Sequence, residues 1–183
     1  MSLPLKGLKH YVTIDQYSWM IRDFSKETEI PVSKNHPASF LYQRKNHQHE
    51  GIDLYCENGQ EVIAMVSGII TNIIPFTGEI AGYPWWSNTY GVVIEDEEGV
   101  WIYGELQPLN DLKIGKYIEE GSTIGHIIPV LKNKKNNRPI HMLHLERYQK
   151  GIKNSIGILE LGKNKPDFLL DPIPFLLKIL NKN

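Results

Sequence analysis

The chain has 183 residues, 41% hydrophobic and 22% charged, with a formal net charge of −1 at pH 7. That length can bury a full core and argues for one domain over 1–183, while the near-neutral balance gives no electrostatic reason to expect nucleic acid or an anionic membrane surface. No stretch reaches the ~18–20 consecutive apolar residues needed to span a bilayer, and lysines interrupt the start, MSLPLKGLKHYV, where a signal peptide needs an apolar run of ~7–15 residues.

From the N-terminus, residues 13–24 (TIDQYSWMIRDF) put Ile14, Tyr17, Met20, Ile21 and Phe24 near helical spacing with Thr13 ahead of them as a cap. A short core-covering helix is expected there, inside an N-terminal extension of residues 1–40. His10, His36 and His126 read as structural histidines. Residues 49–53 are His-Glu-Gly-Ile-Asp, and His49 with Asp53 offers an imidazole nitrogen and a carboxylate oxygen. Zinc takes both at ~2.0–2.2 Å, and a catalytic site stops at three protein ligands so that water keeps the fourth position. The bare spacing recurs by chance, so its weight comes from context. His47, two residues earlier, is a candidate to orient a ligand.

Residues 54–70 (LYCENGQEVIAMVSGII) follow, with Asn58-Gly59 between apolar runs, a hairpin signal. A strand runs through Val62 and Ala64 and another opens at Gly68. The single Cys56 has no internal disulfide partner and reads as a packing residue. GIDLY (51–55), EVIAMV (61–66), GIITNII (68–74), YGVVIE (90–95), GVWIYGEL (99–106) and MLHLERY (142–148) are strand-length, rich in β-branched and aromatic residues, and separated by Gly, Asn and Pro. Connections too short for crossover helices require antiparallel pairing, so the expected class is all-β.

In the loop 77–89 (TGEIAGYPWWSNT), Trp85 and Trp86 cannot both point inward from an extended segment. Either one Trp anchors the loop in the core, or the pair, with Tyr90, forms an aromatic surface that binds peptide backbones or sugars. EDEEG (95–99) reads as a solvated hairpin tip, and KNKKNNR (132–138) as a polar loop that brings charge to the rim ahead of His144. At the C-terminus Pro172 and Pro174 precede FLLKIL; proline suits a first helical turn, so a helix near 173–181 is expected in the tail 151–183.

Taken in order, HEGID (49–53), GQEVIA (59–64), SGII (67–70), YGVVI (90–94), YGEL (103–106), GKYIEEGSTIG (115–125), HLE (144–146) and DPIPFLL (171–177) resemble the lysostaphin or LytM type of zinc metallopeptidase. Its pattern is H-x-G-x-D, G-x-x-V-x-A, G-x-V, Y-G, Y-x-H-L, a paired G…G-x-x-I-G turn and H-x-H. The resemblance covers most of residues 45–177. It implies a LytM-like β core over 45–150, related to duplicated-hybrid-motif barrel-sandwich folds, with short helices at the termini. It also implies one zinc ion on His49, Asp53 and His144, and a peptidoglycan or peptide substrate met in the periplasm or outside the cell.

Two positions depart from the pattern. The family's histidine of Y-x-H-L and first histidine of H-x-H flank the metal-bound water; here they are Glu105 and Met142. In an extended strand Met142 and His144 share a face and His141 points away, so His141 becomes a catalytic candidate only through a bulge. Met142 is then a neighbour of the site without chemistry of its own. Glu105 is either a surface glutamate or the general base, since zinc lowers the pKa of its water to ~7 and a modest base suffices. Two functions follow: a zinc metallo-endopeptidase using Glu105, or a catalytically inactive zinc-containing binding or activator domain.

Overall fold

The computed structural model describes residues 3–5, 10–14, 27–132 and 139–180. In chain order its strands are β1 (His10–Ile14), β2 (Glu27–Pro31), β3 (His47–Gln48), β4 (Ile52–Tyr55), β5 (Glu61–Ile63), β6 (Gly68–Thr77) and β7 (Thr89–Glu95). After these come β8 (Val100–Pro108), β9 (Tyr117–Ile118), β10 (Thr123–Ile127), β11 (Met142–Tyr148), β12 (Leu159–Glu160) and β13 (Leu169–Leu170), and helix α1 (Ile173–Leu180) closes them. Among the described residues nine strands share one sheet, in which β13, β11, β8, β7, β6 and β9 lie side by side, β4 adds to β11, and β10 joins β8 and β5. Every pairing in it is antiparallel, as short connections require. The fold is all-β apart from its closing helix.

Three expectations need correction. β1 and β2 form a separate parallel pair; residues 15–26 between them have the dozen positions that a parallel link requires. Thr13 and Ile14, expected to open a helix, stand on β1, and the rest of that helix, residues 15–24, lies outside the described residues, as do 133–138 of the polar loop. The Asn58-Gly59 turn does form, with Gly59 at φ 78°, yet its flanking strands do not pair: β4 joins β11 and β5 joins β10. Both are recruited by longer-range partners, because strand pairing follows packing context more than local turn signals.

Ile52, Leu54, Ile70, Val92, Ile94, Trp101, Tyr103, Leu143, Leu145 and Tyr148 build the core, joined by Cys56. Burial pushes the Cys56 thiol up, which suits a packing residue. α1 docks through Leu176 and Ile179, and Phe175 meets Trp101 edge-on at 4.8 Å between centroids. Arg147 lies 4.7 Å from the same indole on the other strand. β11 is buried along its whole length: one face meets the core, and the other carries His144 and Glu146 to the site. No helix among the described residues is long and apolar enough to cross a membrane.

Candidate metal centre

The register between β4 and β11 brings the first pair of site residues together. His144 on β11 stands directly opposite Asp53 on β4, and cross-strand neighbours on one face touch. His49, just ahead of β4, is fixed by backbone hydrogen bonds between its amide and the Tyr42 carbonyl and between its carbonyl and the Leu41 amide. Asp53 Oδ1 lies 2.9 Å from His144 Nδ1 and 3.1 Å from His49 Nε2, and the two nitrogens are 3.2 Å apart. A tetrahedral ion bound at ~2.0–2.1 Å separates its ligand atoms by roughly 3.3 Å. The three residues therefore fit one metal ion, and all three are buried. Gly51 makes this approach possible: a Cβ there would stand 2.7 Å from His144 Nε2 and 2.5 Å from the Leu145 carbonyl.

The remaining polar atoms of the three residues are taken. His49 Nδ1 lies 3.0 Å from the Ser39 carbonyl, and His144 Nε2 lies 3.1 Å from Glu146 Oε1. Such partners fix the tautomer, and His49 Nε2 and His144 Nδ1 are the nitrogens that would face an ion. Glu146 is itself held by Tyr148 through Oε2 at 2.7 Å and by Ser155 through Oε1 at 2.8 Å. Arg44 donates to Asp53 Oδ2, which keeps that carboxylate one-armed toward the ion. Burial, then Arg44, depresses His49 to about 3. Burial opposes charge on His144 as well, but hydrogen bonds to Asp53 and Glu146 overcome it and hold its pKa well above 6.5. Burial likewise works against the Asp53 carboxylate, and His49, Arg44 and His144 outweigh it, holding it well below the usual range. The Asp53 contact thus favours the protonated form of His144 at the position where a cation would fit.

Glu105 sits at a fork in β8. Gly104 pairs with His144 on β11, whereas Leu106 pairs with Ile127 on β10, and the register against β7 shifts between Tyr90 and Val92. Glu105 between them has φ 66°, a left-handed conformation that costs a glutamate about 1–3 kcal/mol and persists where surroundings enforce it. Gly104 has room for none but hydrogen, because a Cβ would meet the Phe76 ring at 2.5 Å. The fork turns the Glu105 side chain into a cavity of about 410 Å³ shared with Arg44, His47, Glu50 and His144. Glu105 is buried, its Oε2 has no hydrogen-bond partner among the described residues, and burial followed by the nearby Asp53 pushes its pKa up to about 8. It is not a surface glutamate.

The opposite wall is apolar, with Ile74, Phe76, Ile80, Tyr83 and Trp86. Tyr83, Trp85 and Trp86 meet one another edge-on or tilted, at 5.4 to 6.1 Å between centroids. Trp85 is 61% exposed and Trp86 half-buried, so neither anchors the loop in the core. Trp86 lines the cavity, while Trp85 and Tyr90 stand outside it. β11 keeps an unbroken register against β4 from Met142 to Leu145; no bulge turns His141 toward the ligands, and its carbonyl accepts from the Cys56 amide at 3.3 Å. Met142 is buried opposite Tyr55. Arg44, Tyr83 and Glu146 are site residues that sequence reading missed. Glu146 had a signal, since it is two residues beyond His144 and shares its strand face.

The profile of peptidase family M23 matches residues 47–155. No curated protein matches the chain. Among solved structures, the catalytic domain of the antimicrobial peptidase lysostaphin from Staphylococcus simulans is similar over 78% of this chain and 90% of that one, at 21% identity and a TM-score of 0.51. LytU is similar over 77% of this chain and 81% of its own, at 19% identity and a TM-score of 0.50; both likenesses concern the fold. With a family match that runs over more than half of the chain and takes in all three converging residues, the chain belongs to peptidase family M23.

Proposed function

We propose that the chain is a zinc-dependent endopeptidase acting on peptidoglycan cross-links or a similar glycine-containing peptide. The observation that carries this reading is the convergence of His49, Asp53 and His144 beside Glu105, whose free oxygen faces the same cavity, in a member of a peptidase family. His49 Nε2, Asp53 Oδ1 and His144 Nδ1 are the proposed ligands. Zinc, when bound, polarises a scissile carbonyl and acidifies water. Glu105 accepts the proton of the attacking water and passes it to the departing amine, which balances the hydrolysis. Arg44 holds Asp53, Glu146 holds His144, and Ile80, Tyr83 and Trp86 receive the substrate by apolar contact.

Met142 favours a second reading. A thioether cannot carry a proton, so one of the two flanking positions has lost acid–base chemistry, as in a domain that keeps zinc and the groove for recognition or activation alone. Peptide release from purified cell wall, with and without added zinc, separates the two. The enzyme reading expects zinc-dependent release that Glu105→Gln abolishes. Absence of release from cell wall, from glycine-rich peptides and from D-amino-acid peptides supports the binding domain.

A further inference from the structure

We infer that the cavity takes a ligand bearing a free ammonium group and that Glu50 sets this preference; if the peptidase reading holds, this narrows its substrates from fully acylated internal cross-links to peptides that carry a free amine near the cleaved segment. Four carboxylates surround the metal centre, and they differ in what they touch. Asp53 divides its oxygens between the two histidines and Arg44. Glu146 divides its own between His144, Ser155 and Tyr148. Among the described residues, Glu50 and Glu105 each leave Oε2 buried and unpartnered, and both line the cavity. Glu105 is 8% exposed and the Glu50 side chain 14%, so bulk water does not solvate these oxygens freely. Glu50 Oε1 is 3.9 Å from His144 Nε2, beyond hydrogen-bond reach.

A buried acceptor without a donor is costly and is met by a ligand that supplies one. The charges select the kind of donor. Among the described residues of this centre, Arg44 is the fixed cation beside Glu50, Asp53 and Glu105; counted in their ionised forms, the four carboxylates carry one negative charge more than Arg44 and a divalent ion offset together, and a bound cation favours those ionised forms. An amide N–H would satisfy an oxygen and leave that charge; an ammonium supplies three donors and the balancing charge from one compact group. The apolar wall of Ile74, Phe76, Ile80 and Tyr83 is free for the uncharged remainder.

The test compares triglycine amide carrying a free α-amine with its N-acetylated twin, by calorimetry on the zinc-loaded chain. The free amine is expected to bind about 10-fold tighter or more, as a charge-assisted hydrogen bond gives. Glu50→Gln, checked for zinc content and circular dichroism, is expected to bring the two peptides to the same affinity. Equal binding of both by the parent, no binding of the free amine at millimolar concentration, or a preference that survives Glu50→Gln overturns the inference. Preference for the free amine together with no release from cell wall, glycine-rich peptides or D-amino-acid peptides would sink the peptidase reading and uphold this one.

Discussion

The metal floor and the aromatic rim of the same cavity are built in opposite ways. On the floor, His49, Asp53 and His144 are buried on or beside central strands, and each second polar atom is claimed by Ser39, Arg44 or Glu146. On the rim, Tyr83, Trp85 and Trp86 lean mainly on each other, in a loop tied down by contacts such as Thr77 Oγ1 to the Ser87 carbonyl at 2.8 Å and Lys132 to the Pro84 carbonyl at 2.6 Å. Geometry that must be accurate to fractions of an ångström belongs on strands with supporting hydrogen bonds; contact surface that need only be apolar can sit on a loop. Changes on the floor should therefore act on metal and turnover, and changes on the rim on binding alone.

The largest expected effect lies between the two regions, at Glu105. In Glu105→Gln, turnover should fall by about 10²–10⁴-fold, the usual loss on removing a general base, with zinc still bound. A variant that cleaves as fast as its parent would take Glu105 out of the chemistry. Next, Glu146→Gln should weaken zinc affinity by about 10–100-fold, as removal of a histidine's hydrogen-bond partner does; chelator competition measures it. An unchanged affinity would mean that the floor does not depend on its outer contacts.

How far this contrast could be seen in advance varied with the residue. His49, Asp53 and His144 were legible because several small motifs fell in one order, and the hydrophobic runs marked β4, β6, β7, β8 and β11. The orientation of Glu105 was not legible: it rests on a left-handed residue at a fork where β8 exchanges β11 for β10, and a glutamate carries no local signal for φ > 0. Arg44 lies in a polar stretch without periodicity, so only the folded chain brings it to Asp53. The Asn58-Gly59 turn was read correctly as a turn, but strand pairing across it was decided by distant partners.

Smaller effects sharpen the comparison further. Gly51→Ala should cost about 1–3 kcal/mol in chemical denaturation, because the added methyl overpacks against the Leu145 carbonyl and the His144 ring; a cost near zero would mean that β4 and β11 shift apart freely. Zinc affinity should rise with pH. The proton on metal-free His144 must leave, and its raised pKa stabilises the metal-free fold below the unfolded value of about 6.5, a contribution lost as pH climbs through the folded one. Titrations at rising pH check it, and a flat profile would mean that no proton is displaced. At the small end, Trp85→Ala should leave the melting temperature almost unchanged, within the ~0.5 kcal/mol of an exposed site, whereas Trp86→Ala should lower it and weaken ligand binding. Equal and large losses from both would make the rim structural.

The central claim is that His49, Asp53 and His144 form a zinc site. Its most direct test is elemental analysis of the purified chain after mild zinc loading, beside Asp53→Asn treated in the same way. The account predicts one zinc per parent chain and almost none in the variant. A parent without stoichiometric zinc, or a variant that retains it equally well, would contradict the account.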